Sequence, residues 1–120
     1  TSGSHIGKHV VRPVTLEEAA IGLKILIGAH RPSVADFDLY YKVANDGENF
    51  NDIAWTEIAK EESLPSDENP NVFRDYRYLV GGQNGLSASF TRFTIKIVMK
   101  SLSSAKPPIF RDLRIIAMAV

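Results

Sequence analysis

Residues 90–102 read FTRFTIKIVMKSL, and this stretch decides the fold class because apolar and polar side chains alternate along it. In an extended chain one face carries Phe93, Ile95, Ile97 and Met99, and the other carries Thr94, Lys96, Val98 and Lys100. A period of two is typical of a strand that buries one face. The stretch therefore predicts a long half-buried β-strand.

The same alternation recurs along the rest of the chain. It predicts strands over residues 36–44, 23–27, 53–59, 73–80 and 109–120, and an early strand over residues 9–15. A short helix is an alternative for residues 16–20, and the 53–59 segment has a helical alternative as well. Turn-forming residues separate the segments, for example Asn45-Asp46-Gly47, residues 65–70, residues 81–85 and residues 103–108.

These segments predict an all-β fold of six to eight strands. Two antiparallel sheets packed face to face, as in jelly-roll or immunoglobulin-like domains, are expected because one flat sheet could not cover so many apolar faces. At 120 residues the chain has room for one domain, which we assign to residues 7–120. Residues 1–6, Thr-Ser-Gly-Ser-His-Ile, look like an expression-tag remnant, so the domain is expected to be a fragment of a longer protein.

Composition argues against several classes of partner. Fourteen basic residues balance fourteen acidic ones, so no global field attracts nucleic acid or an anionic membrane. The most apolar stretch, residues 19–29, is shorter than the ~20 residues that span a bilayer. The chain has no cysteine, which excludes disulfides and thiolate catalysis. We expect no nucleic-acid partner and no membrane partner.

Catalytic and metal-binding patterns are not recognisable in the sequence. The histidines, His5, His9 and His30, have no metal-ligand spacing and no nucleophile to serve. The acidic loop at residues 46–52 lacks the spacing of a calcium-binding loop, and a solvated turn explains it. The carboxylates at positions 36, 38, 57, 75 and 112 are too dispersed to nominate a catalytic pair. We expect no enzyme, no cofactor and no metal.

Three residues are candidates for a contact surface. Tyr40 lies on the strand face opposite Phe37, Leu39 and Tyr41, so it should reach solvent or a partner. Val98 and Ile116 fall on the nominally outer faces of their strands. An apolar outer position indicates a covered face or an oligomer contact.

Several segments carry a family resemblance. They are residues 39–43 (LYYKV), 53–58 (IAWTEI), 77–78, 93–101 (FTIKIVMKS), 104–108 (SAKPP) and 110–117 (FRDLRIIA), in this order. The chain from about Leu23 onward resembles β-sandwich modules in structural proteins of contractile-tailed, T-even-type bacteriophages, such as baseplate wedge components. The resemblance implies a structural role in the virion and no active-site residues. The long strand, Lys-Pro-Pro turn and closing strand also resemble jelly-roll and discoidin-like carbohydrate-binding modules.

The first function hypothesis is therefore a non-catalytic module that mediates protein–protein assembly in a phage tail or baseplate. Its expected partners are other virion proteins or copies of itself, and its expected location is the virion, after assembly in the host cytoplasm. The alternative is a carbohydrate-binding module for host-surface glycans, in which Tyr40, Trp55, Tyr76 and Tyr78 would form a stacking platform. Similarity of fold does not decide between them.

Overall fold

The structure, a computed structural model, describes residues 4–31, 35–58, 73–81, 84–101 and 109–119, and it is all-β. Its strands are β1 (Ser4–Val10), β2 (Val14–His30), β3 (Ala35–Ala44), β4 (Thr56–Glu57), β5 (Arg74–Val80), β6 (Phe90–Ser101) and β7 (Ile109–Ala119). A single 3-10 turn, Phe50–Asp52, precedes β4. Within these ranges no helix has the length and apolar character needed to cross a membrane.

All seven strands belong to one antiparallel sheet that curls back on itself. β6 pairs along one edge with β3, and its other edge is shared by β1 and the first half of β2. β2 then continues away from β6 and pairs with β5 on one side and with β7 on the other. The long strand β2 thus joins two halves of the sheet, β4-β3-β6-β1 and β5-β2-β7.

The core lies inside the curl, where alternate side chains of both halves meet. Its largest fully buried members are Leu23, Ile25, Ile27, Phe37, Leu39, Tyr76, Tyr78, Val80, Phe90, Ile95 and Ile97. The rings of Phe37 on β3 and Tyr76 on β5 lie 6.4 Å apart between centroids, so the two halves are in direct contact. Close packing between residues distant in sequence is what stabilises this fold in the absence of cysteine.

The prediction of an all-β antiparallel fold is confirmed, and seven strands fall within the predicted six to eight. The predicted division into two separate sheets is not confirmed, because β2 hydrogen-bonds to strands of both halves. The alternation is confirmed in part: the predicted inward residues Phe93, Ile95, Ile97, Phe37 and Leu39 are buried. Thr94, predicted on the polar face, is buried as well, and its hydroxyl donates a hydrogen bond to the carbonyl oxygen of Val11 (2.6 Å).

Other local predictions are corrected. The helical alternative at residues 16–20 is wrong, since they belong to β2. The strand predicted at 53–59 is shorter: in its described part, residues 53–58, the strand is Thr56–Glu57, and no helix is found there. A 3-10 turn, Phe50–Asp52, comes just before it. The early strand is interrupted at residues 11–13, where Pro13 supplies no N–H, so that β1 and β2 are separate. Residues 4–6 belong to β1, and their assignment to a tag remnant stays a prediction. The turns predicted at 65–70 and 103–108 lie outside the described residues.

Candidate interaction surfaces

Aromatic rings and cations alternate on the outer side of β3 and β6. The set, which we call the aromatic–cation row, consists of Tyr40, Lys42, Phe50, Trp55, Arg92 and Lys96. The Lys96 ammonium nitrogen lies 4.7 Å from the centre of the Tyr40 ring and 4.8 Å from that of Trp55. The Lys42 ammonium lies 4.7 Å from the Trp55 ring, and the Arg92 guanidinium 4.6 Å from Phe50. Each distance is within the range of a cation–π interaction.

The row holds residues 45–57 against the sheet. Lys42 donates a hydrogen bond from Nζ to the carbonyl oxygen of Phe50 (2.9 Å), and Arg92 donates from Nη1 to that of Glu48 (2.7 Å). Both cations therefore already have protein partners. Because partially exposed cation–π contacts contribute about 0.5–1 kcal/mol each, fixing this loop accounts for the row without any ligand.

Two side chains of the acidic loop accept hydrogen bonds from the backbone of the same loop. The side chain of Glu48 accepts a hydrogen bond from the backbone N–H of Asn45 (2.6 Å). Asn49 caps the 3-10 turn by accepting from the N–H of Asn51 (2.9 Å). These contacts agree with a solvated turn. In the described ranges no three His, Cys, Asp or Glu side chains converge as a metal site would require.

A second surface covers the outer side of β5, β2 and β7. Register places Leu79, Lys24 and Ile116 in one row across the three strands, Leu26 in the next row, and Met118 beside Gly22. We call Leu26, Leu79, Ile116 and Met118 the apolar strip. Ile116 is 51% exposed, and the other three are half-buried. Lys24 lies between Leu79 and Ile116, and Arg77 and Arg114 lie on either side of Leu26, so apolar and basic side chains are interspersed on this face. Exposed apolar side chains on a sheet face are typical of a contact surface.

One end of the apolar strip is charged. Asp75 and Asp112 flank Gly28 in register, and Arg114 Nη2 and Nε lie 3.7 Å from the carboxylates of Asp75 and Asp112, respectively. A β-carbon at Gly28 would come 3.3 Å from the Asp112 Cβ, so glycine leaves room for the two aspartates. Both carboxylates are more than half exposed and share one arginine. This arrangement forms a polar rim at the end of the strip.

The predicted contact residues are divided between the two surfaces. Tyr40 and Val98 lie on the outer side of β3 and β6, where Tyr40 is opposite Lys96, and Val98 is opposite Asp38 and Lys8. Both are half-buried, and Lys100 forms an ion pair with Asp38 beside Val98. Ile116 lies in the other half of the sheet, in the apolar strip.

Of the four aromatics considered as a sugar platform, two are in the core. Tyr76 and Tyr78 are 2% and 0% exposed, so they cannot stack on a ligand at the surface. Tyr40 and Trp55 are adjacent, but lysines lie over their rings. The sequence did not reveal this pairing because Tyr40, Trp55 and Lys96 come from three separate segments.

Tyr78 has an unusual environment. Its hydroxyl is buried, and in the part of the chain that the structure describes it has no hydrogen-bond partner. Burial is the main reason that the pKa of Tyr78 is raised well above its ordinary value, and the negative charge of Asp36 adds to the effect. The group is therefore neutral at physiological pH and contributes no charge to either surface.

A groove lies at the end of β7. It has a volume of about 310 Å³ and is lined by Leu16, Glu17, Glu18, Ala19, Ala20, Ala117 and Ala119. Mostly small apolar side chains form its floor, and the exposed residues Glu17 and Glu18 form one side. Its lining suits an apolar side chain followed by a basic group.

Comparisons with protein-family models, with curated proteins and with solved structures find no significant match to the chain.

Proposed function

We propose that the chain is a non-catalytic interaction module that assembles with other structural proteins of a phage tail or baseplate. The sequence resemblance described above supports the phage assignment. The observation that carries the assembly role is the apolar strip, in which Ile116 stays half-exposed among Leu26, Leu79 and Met118. Protein–protein contacts combine apolar side chains with charged ones, as Ile116 and its neighbours do here with Lys24 and Arg114.

Burial of the strip supplies a driving force for assembly. Complete burial of an isoleucine side chain is worth about 1.5–3 kcal/mol, so covering the exposed half of Ile116 contributes roughly 1 kcal/mol. The half-exposed neighbours add to this. Asp75, Asp112 and Arg114 lie at the rim, where charges select the partner more than they add affinity.

Substitution of two matched residues tests the proposal. Ile116 and Val10 are the large apolar residues found exposed in the described ranges, at 51% and 46%, and both lie on sheet-edge strands of different halves. The purified chain is mixed with purified tail and baseplate proteins of contractile-tailed phages, and complexes are measured by sedimentation velocity. We expect the wild type and Val10→Lys to form a complex that Ile116→Lys loses. Equal binding by Ile116→Lys, or no complex with any of these proteins, would refute the proposal.

The architecture fits the proposed role. We infer that the two halves of the curled sheet act as the two layers of a jelly-roll or immunoglobulin-like sandwich, with their outer sides left for partners. In this proposal the chain resides in the virion, having been assembled in the host cytoplasm, and its partners are virion proteins or further copies of itself. Nucleic acid and membranes are not among them.

Carbohydrate binding is the second candidate, and the adjacency of Tyr40 and Trp55 favours it. A sugar would have to displace Lys42 and Lys96 from the ring faces, which costs the cation–π contacts. Glycan-array binding that disappears in both Tyr40→Ala and Trp55→Ala, but persists in Ile116→Lys, would establish this function. Absence of glycan binding by the wild type would eliminate it.

A further inference from the structure

Strand β7 has one described neighbour. Among the described residues it pairs with β2 alone, and no described backbone hydrogen bond outside the sheet involves it, so its outer edge has no partner in this part of the chain. Every second residue of such an edge presents an N–H and a C=O that can pair with another strand. From position 109 to 119 the edge contains neither lysine nor proline, two residue types that commonly protect edges against pairing.

The core is incomplete beside this edge. On the opposite side strand, β5, the inward residues Tyr76, Tyr78 and Val80 are all essentially buried. On β7 the inward residues Leu113 and Ile115 contact the core but stay half-exposed, and Ala117 is exposed. Of the two strands beside β2, β7 is therefore the one whose inward side chains are less covered by the described residues.

From these observations we propose that β7 pairs antiparallel with β7 of a second copy, across a two-fold axis at Ile115. With this axis, residues 111–119 of one copy pair with residues 111–119 of the other. An axis nearer the start of β7 would lie closer to the bulge between Phe110 and Asp112, where the pairing with β2 is irregular. It places Ile115 opposite Ile115, and Leu113 opposite the small residue Ala117. The inference rests on the proposed function, since it names one partner of an interaction module.

Charge complementarity favours a second copy as the occupant. In this register Arg111 of one copy lies opposite Ala119 of the other, at the groove beside Glu17 and Glu18. In the single chain Arg111 is exposed and stacks at 4.5 Å on Phe73, which lies across β2 from β7, so the side chain has to leave this ring to reach the second copy. The two-fold axis repeats the contact at both ends of the shared strand pair.

Sedimentation of the chain from micromolar to millimolar concentration tests the pairing. We expect a monomer–dimer equilibrium in the wild type. Ala117→Lys places a charge on the inward side of the β7 edge, so this variant should stay monomeric. Thr56 is an exposed residue of the edge strand β4, and the control variant Thr56→Lys should dimerise like the wild type. A wild type that is monomeric throughout, or equal dimerisation of the two variants, would overturn the proposal.

A charge exchange makes the test specific for the register. Arg111→Glu and Glu18→Arg should each raise the dimer Kd by roughly tenfold, because each reverses one charge at two symmetric contacts. The double variant should recover most of the wild-type affinity; failure to recover would contradict the register.

If a variant fails to fold, hydrogen exchange of the wild-type protein tests the pairing of β7 without any substitution. Amides of residues 111–119 should gain protection with concentration and those of β5 should not; unchanged protection in β7 would also overturn the proposal.

The outcome is distinguishable from that for the proposed function. Ala117 lies outside the apolar strip, so the Ala117→Lys monomer should still bind tail or baseplate proteins in the assay described above. If it binds them while the wild type never dimerises, only the self-pairing is wrong. If the wild type dimerises as described but binds none of them, only the proposed assembly with other virion proteins is wrong.

Discussion

Replacing Tyr78 by phenylalanine removes one oxygen atom from the middle of the fold. The residue is fully buried, and its hydroxyl has no hydrogen-bond partner within the described part of the chain. A buried polar group without a partner costs about 1–3 kcal/mol, since it gives up hydrogen bonds to water on folding. The phenyl ring retains the packing of the tyrosine ring.

The substitution removes the cost of desolvating the hydroxyl, which stabilises the folded state. The small void left by the oxygen atom offsets part of this gain. We expect Tyr78→Phe to raise the free energy of unfolding by about 1 kcal/mol at neutral pH. For a chain of this size that corresponds to a rise in Tm of roughly 3–6 °C.

Tyr76→Phe is the matched control. Tyr76 lies two residues earlier on the same strand and is equally buried, but it does have interaction partners. Chemical denaturation and calorimetry of both variants should show a gain for Tyr78→Phe and no gain for Tyr76→Phe. A Tyr78→Phe protein that is less stable than the wild type would show that the hydroxyl is satisfied, and would refute this reasoning.

Four further outcomes are expected. The pKa of Tyr78 is raised on folding, so the folded state favours the neutral hydroxyl. Above about pH 10 the free energy of unfolding of the wild type should therefore fall relative to that of Tyr78→Phe, by about 1.4 kcal/mol per pH unit until the folded group itself ionises. Parallel pH profiles of the two proteins in alkaline denaturation would contradict this. Gly85→Ala should cost about 2–3 kcal/mol, since φ is +83° and the new Cβ would come 2.6 Å from Ile21 Cδ1. Gly47→Ala, at φ +88° in open space, should cost only about 1 kcal/mol, and equal losses in urea titration would exclude the steric explanation. Ile25→Ala should lower the free energy of unfolding by about 2–5 kcal/mol because the side chain is fully buried, whereas Ile116→Ala should change it by no more than about 0.5 kcal/mol. A large loss of stability in Ile116→Ala would mean that the strip is covered within the monomer.

Strand periodicity could be predicted wherever one face of a strand meets the core. Residues 93–99 show this, because each apolar position of the alternation is buried or half-buried. Residues 16–20 could not be read in the same way. Glu17-Glu18-Ala19-Ala20 consists of good helix formers, but β2 continues through them between pairings with β6 and β7, so long-range hydrogen bonding overrides local preference.

The surfaces were only partly predictable. Ile116 was recognisable as an outward apolar residue, but the apolar strip depends on β7 pairing with β2, which brings Met118 beside Gly22. The aromatic–cation row likewise depends on β3 pairing with β6 and on the loop that carries Trp55. Both are consequences of non-local strand pairing, for which a single sequence contains no direct signal.

Oxidation of the two methionines tests the assembly role most directly. Met118 belongs to the apolar strip, while Met99 lies on the inner side of β6 and is also half-buried, so it serves as an internal reference. Thioether oxidation follows solvent access and is readable by mass spectrometry. We expect Met118 to be protected in the complex with tail or baseplate proteins relative to the free chain, with Met99 unchanged. Equal oxidation of Met118 in the free and assembled states would contradict the assembly role of this surface.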